Sequence, residues 1–178
     1  MNFEKLERNL IEVMEEQQAK LGFDGGVVWL FYPMASLNAL LDTALDEEAM
    51  MQALQAFNTY ALGRLGKMEI MCRDGRFSLG ISPEGGRYVQ QHMDESKFIV
   101  RFIREISRHG STMDELLSLF REYSDCVHFE RMENQQEFDY LVYFENGEPD
   151  SFYYCIKEDL GHMTYHRFTR EDYHDFGF

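Results

Sequence analysis

The sequence predicts an α+β fold, with N-terminal and central helices packed on an antiparallel sheet formed mainly by a C-terminal meander. Three observations predict it. Apolar residues recur at helical spacing through much of the first 125 residues. After Asp125 the pattern changes to four runs dense in Phe, Tyr and Val. Short, turn-rich links join those runs, which suits antiparallel neighbours rather than crossovers. No repeat, low-complexity tract or composition break divides the chain, so residues 1–178 are expected to form a single α+β domain.

Phe3, Leu6, Leu10, Val13, Met14 and Leu21 lie on one helical stripe that Gly22 ends, which predicts a helix over 3–21. Residues 27–32 are β-prone, and Pro33 ends that run. Ser36 can cap a short helix to 45. Asp46 caps a longer one with Met50, Leu54, Phe57, Ala61 and Leu65 inward, and Glu47 and Glu48 favour its first turn. Residues 67–72 and 76–81 flank Asp74-Gly75, the clearest hairpin pattern in the chain. The stretch 82–94, with Pro83 and Gly85-Gly86, reads as a loop with at most one helical turn. A helix over 95–108 follows, then Thr112 and Glu115 offer a capping box for another to 123. Strands are expected at 126–132, 138–145, 151–157 and 163–169, and a last helical turn at 170–176.

Composition sets the boundaries. The chain carries a formal charge of −15, which repels phosphate backbones and disfavours nucleic acid as a partner. Three cysteines, an odd number without a paired motif, fit a reducing cytoplasm better than a disulfide framework. The Glu-rich start has no apolar core of a secretory signal, and the longest uncharged run, 25–41, is too short and too broken for a membrane span.

One stretch departs from this acidity. Between residues 61 and 110, Arg64, Lys67, Arg73, Arg76, Arg87, Lys97, Arg101, Arg104 and Arg108 outnumber Glu69, Asp74, Glu84, Asp94, Glu95 and Glu105. Lys97, Arg101, Arg104 and Arg108 recur at steps of four, three and four, so on a helix they form one ridge. Such a ridge can hold a phosphate, a carboxylate or an acidic partner segment. It can equally be a solvated face, or be neutralised by acidic segments of the same chain. Arg73 and Arg76 extend the patch if the hairpin lies beside this helix.

Other chemistry is thinner. His162 and His166 would share a strand face about 13 Å apart, too far to chelate one metal ion. Neither H-E-x-x-H nor C-x-x-C occurs, so no metal and no cofactor is expected. Cys72, Cys126 and Cys155 each fall in an expected strand among apolar residues and read as buried structural thiols, although Cys126 and His128 would share a strand face at a spacing compatible with a dyad. Ser82 to Arg87 only echoes a glycine-rich loop. Glu130, Glu133 and Glu137 bracket a polar turn at 134–136. Tyr140, Tyr143, Tyr153, Tyr154 and Tyr165 fall on both faces of the meander; exposed ones can mark a partner surface, but more commonly such rings fill a core under the helices or cover a cross-strand neighbour.

Leu30-Phe31-Tyr32-Pro33-Met34-Ala35-Ser36-Leu37-Asn38-Ala39-Leu40-Leu41, after a helix ending in Lys20-Leu21-Gly22, resembles a bacterial family described only as a domain of unknown function. That resemblance implies a stand-alone, bacterial, cytoplasmic protein and carries no activity, cofactor or catalytic residue with it. Function is therefore undetermined. The expectation is a non-enzymatic interaction or regulatory module that works through the basic ridge or the acidic aromatic sheet. The alternative is a binder or enzyme for a small anionic molecule, phosphorylated or carboxylated. A homodimer whose meander edges or helices pair across a two-fold axis is a third possibility, on which the sequence read alone is silent.

Overall fold

Asn2 starts the first helix, α1 (Phe3–Leu21), by accepting the Lys5 N–H on its side chain. A computed structural model describes residues 1–133 and 137–175. They divide into two compact units, Met1–Met93 and Asp94–Phe178. The α+β class is as predicted: among the described residues there are seven helices and two antiparallel sheets, one of them the C-terminal meander.

The first unit continues with β1 (Val28–Pro33), α2 (Met34–Leu41), α3 (Glu47–Leu65), β2 (Glu69–Arg73), β3 (Arg76–Ile81) and α4 (Pro83–His92). Its sheet has the order β1-β3-β2. The Asp74-Gly75 hairpin forms as expected, with φ 52° and 70°, the pair of left-handed residues that a type I′ turn needs. Its other edge was not legible: the β-prone run 27–32 pairs with β3, Val28 opposite Ile81 and Pro33 opposite Arg76. Leu6, Leu10 and Met14 of α1, Leu37 and Leu41 of α2, Leu54 and Phe57 of α3, and Phe77 and Leu79 of β3 share one core. The N-terminal helices therefore have a sheet of their own.

Two helices differ from expectation. α2 starts two residues before Ser36 and stops at Leu41, because Asp42 turns left-handed (φ 54°) and the Asn38 side chain holds the backbone of Leu45. The expected loop at 82–94 is instead a three-turn helix, α4, capped by Ser82 with Pro83 at its first position. Gly85-Gly86 argued against a helix by propensity. Packing overrides that: a Cβ on Gly85 would lie 2.3 Å from the Leu65 carbonyl oxygen, and one on Gly86 2.4 Å from the Phe23 ring. These glycines admit a close helix contact; they do not cradle a phosphate.

The second unit comprises α5 (Phe98–Ser107), α6 (Met113–Tyr123), β4 (Val127–Arg131), β5 (Tyr140–Phe144), β6 (Tyr153–Asp159), β7 (His162–Phe168) and α7 (Arg170–Asp175). The strands form the predicted meander, β4-β5-β6-β7, antiparallel throughout. One face meets α5 and α6 through an aromatic cluster. Phe98 sits 4.7 Å from Phe120, 4.9 Å from Phe144 and 5.8 Å from Tyr154, mostly edge-to-face, the arrangement that ring quadrupoles favour. Tyr154 is fully buried, and its hydroxyl donates to Asp150 Oδ2 at 2.7 Å. The β6–β7 turn places Leu160 at φ 48° before Gly161 and leaves its side chain 92% exposed, where Asn or Gly is usual. The polar link at 134–136 and the expected end of the last turn at Phe176 lie outside the described residues. No helix among the described residues is long and apolar enough to cross a membrane.

Candidate functional site

The cationic ridge is shorter on the helix than its spacing implied. Asp94 accepts the Ser96 N–H at 2.9 Å and the Ser96 hydroxyl at 2.6 Å, and this Asx turn delays the helix start. Lys97 becomes the N-cap of α5, and Arg108 is its extended C-cap. Arg101 and Arg104 remain helical, opposite the buried Phe98, Phe102, Ile103 and Ile106.

Each of the ridge arginines Arg101, Arg104 and Arg108 meets a carboxylate of its own unit. Arg101 Nη1 donates to Glu122 Oε2 at 2.6 Å, and its guanidinium lies 5.5 Å over the Tyr123 ring, which ties α5 to α6. Arg104 Nη2 donates to Glu95 Oε1 at 2.8 Å. Arg108 bridges Glu105 and, at 3.0 Å, Glu115. Glu115 also closes the expected capping box of α6, where it accepts the Thr112 N–H at 2.9 Å. The hydrogen bond that Arg101 donates to Glu122 raises its guanidinium above the ordinary value, and the one donated to Glu105 does the same for Arg108. Between α5 and α6 lies an open groove of ≈ 310 Å³, lined by Arg101, Glu105, Arg108, Glu115, Ser118 and Glu122. Its walls alternate in charge. Arg73 and Arg76 belong to the first unit, opposite one another at the hairpin end, and Arg73 is 94% exposed with Asp74 3.7 Å away.

These ion pairs give the second unit a pH dependence of definite sign. Arg108 chiefly holds Glu105 below the ordinary carboxylate value, with Ser111 adding to it; the Thr112 N–H chiefly lowers Glu115. A carboxylate lowered by folding contributes stability above its unfolded value and loses it as pH falls through the folded one. Thermal melts should therefore move to lower temperature below about pH 4. Arg108→Gln should flatten that acid limb, and circular dichroism at a series of pH values checks it.

The meander's other face carries a row that the sequence did not reveal. His128, Tyr143 and Tyr153 stack across β4, β5 and β6, with ring centroids 4.6 and 4.1 Å apart. Arg170 Nε donates to the Tyr153 hydroxyl at 3.1 Å. Burial first, then the neighbouring Tyr153, raises the Tyr143 phenol above its ordinary value. A second groove of ≈ 400 Å³ opens beside this row, with Glu145, Asn146, Ser151, Tyr153, Thr169 and Arg170 among its walls. Only strand register brings these residues together, and register is what single-sequence patterning leaves open.

The remaining candidates separate. Cys126 falls just before β4 and is exposed, whereas a strand position was expected. The His128 imidazole faces Glu130 and Glu145, at 3.5 and 4.0 Å. Cys155 is buried in the sheet, and burial pushes its thiol up to about 12. His162 lies by His109, ring centroids 4.8 Å apart, a pairing that the sequence did not suggest. Among the described residues no group of three or more His, Cys, Asp or Glu is placed to hold a metal ion.

The family model described as "Domain of unknown function, E. rectale Gene description (DUF3877)" matches residues 3–177. The chain belongs to the DUF3877 family. The match runs through both compact units, so the DUF3877 pattern takes in the three-stranded sheet and the meander alike. It assigns no activity to the family. Searches of the curated proteins and of the solved structures return no match to this chain.

Proposed function

We propose that this DUF3877 protein is a non-enzymatic interaction or regulatory module of the bacterial cytoplasm, and that its second unit recognises a protein partner through the α5–α6 groove. The observation that carries the reading is the carboxylate on each of Arg101, Arg104 and Arg108. A small anion would compete with those carboxylates for the same guanidinium groups, and their charge already offsets the attraction. A partner surface that alternates in charge with the groove can instead share the existing pairs, and complementary charge patterns of this kind favour specificity over raw affinity. The free thiols of Cys72, Cys126 and Cys155 support a reducing compartment.

One observation favours a second reading. Arg170 projects into the ≈ 400 Å³ groove beside Ser151 and Thr169, a donor set suited to a small phosphorylated or carboxylated molecule.

Ser118 separates the two readings, because it is exposed on the groove wall and, among the described residues, its hydroxyl bonds only back to the Asp114 carbonyl. Ser118→Trp fills the groove and leaves the arginine pairs in place. A partner recovered with the wild-type protein from its host should be lost with Ser118→Trp, while circular dichroism stays unchanged. Recovery of the same partner by both proteins counts against the groove. A melting-temperature rise with anionic metabolites that Arg170→Ala abolishes would move the assignment to the second reading.

A further inference from the structure

The strand β2 lies at one edge of the three-stranded sheet, with β3 on its only paired side. Its hydrogen-bonding phase follows from the turn. A two-residue turn makes Arg73 and Arg76 a hydrogen-bonded pair, and the pattern alternates from there. Glu69, Met71 and Arg73 therefore direct their backbone groups to β3, while Met68, Ile70 and Cys72 direct theirs away from it. Asn58 confirms this phase. Its side chain accepts the Met68 N–H at 2.9 Å and donates to the Met68 carbonyl at 3.0 Å. Asn58 thus closes the edge at one end, and the Asp74-Gly75 turn closes it at the other. No hydrogen bond among the described residues takes up the outward groups of Ile70 or Cys72. Five residues of edge remain available to another strand.

Those five residues are complementary to themselves when one copy is reversed against another. Ile70 and Cys72, half-buried and apolar, flank Met71, which is 52% exposed. Glu69 and Arg73, both exposed, stand at equal distances from Met71 with opposite charges. Sheet edges guarded against self-association usually carry like charges that repel a second copy. Here the charges cancel under a two-fold rotation.

We propose that β2 is a dimerisation edge, along which two copies of this chain pair antiparallel about a two-fold axis through Met71. Ile70 of each copy then exchanges backbone hydrogen bonds with Cys72 of the other. Met71 packs on its own symmetry mate. Glu69 lies directly opposite Arg73 in the close, non-hydrogen-bonded pair, where cross-strand charges interact most strongly. The two three-stranded sheets become one, ordered β1-β3-β2-β2-β3-β1. A register shifted by one residue either way opposes Arg73 to Ile70 or Met68 and loses both charge pairs, so the register is specified. An unrelated partner strand lacks that self-complementarity, which selects a second copy as the occupant.

Sedimentation velocity of the full chain across a wide concentration range tests this at physiological salt, where the −15 charge of each copy is screened. A reversible monomer–dimer equilibrium is expected. Glu69→Arg places two cations opposite each other at both ends of the pairing and should raise the dissociation constant at least about tenfold. Adding Arg73→Glu to that variant restores complementarity and should restore the dimer. Met71→Cys, in a Cys126→Ser background, should form an intermolecular disulfide under mild oxidation, because a residue on the axis faces its own copy at disulfide distance. A wild-type chain that sediments as a monomer throughout would overturn the proposal. So would a dimer that Glu69→Arg leaves unchanged, or one that Met71→Cys fails to cross-link.

Discussion

Phe120→Ala should destabilise the second unit by ~3–5 kcal/mol, the cost of opening a large cavity among aromatic neighbours. Phe120 is fully buried and lies within 5.9 Å, centroid to centroid, of Phe98, Phe102, Phe144 and Tyr154. It joins both central helices to the meander, and the rings around it cannot all close on the vacated volume. Urea unfolding followed by circular dichroism should show a lower midpoint with little change in slope. A loss under ~1 kcal/mol would mean that the ring cluster is not where this unit's stability lies.

The same substitution should have opposite signs at two glycines of the first unit. Gly85→Ala is expected to cost ~1–3 kcal/mol, since its new methyl group meets the Leu65 carbonyl, a backbone atom that cannot swing aside. Better helix propensity returns less than about 1 kcal/mol of that. Gly63, near the end of α3, has no atom within 4 Å of the point where a methyl group would stand. Gly63→Ala therefore gains the propensity alone and should stabilise by ~0.5–1 kcal/mol. Thermal melts of the two variants side by side decide it. Equal effects would show that propensity, not contact, governs both positions.

Local patterns carried the reading of this chain where local physics decides the outcome. The stripe from Phe3 to Leu21, the Asp46 and Thr112 caps and the Asp74-Gly75 turn all settle within a few residues, and the structure has them at those positions. The α4 helix was illegible for the converse reason. Its first turn is set by Leu65 and Phe23, distant in sequence, and propensity at Gly85-Gly86 pointed the other way. The β1–β3 pairing and the His128–Tyr143–Tyr153 row depend on register between strands, which no window along the chain contains. For the ridge, spacing placed Arg101 and Arg104 on one face of α5. It gave no sign that Glu122 and Glu115 of α6 would meet Arg101 and Arg108 there, because the angle between two helices is a tertiary property.

Trp29, the only tryptophan in the sequence, lies opposite Gly80 in the register of β1 and β3, with its ring over the space where a Cβ would stand. It is half-exposed, on the same side of the sheet as Phe31 and Met71. The second unit holds no indole, whereas seven of the ten tyrosines, at 123, 140, 143, 153, 154, 165 and 173, fall within it. The molecule is thus labelled by its own composition. Light absorbed by indole alone reports the first unit and the sheet that ends in β2, and tyrosine emission reports chiefly the second. Unfolding of either unit, or association along the first, can be followed by colour in the unmodified chain.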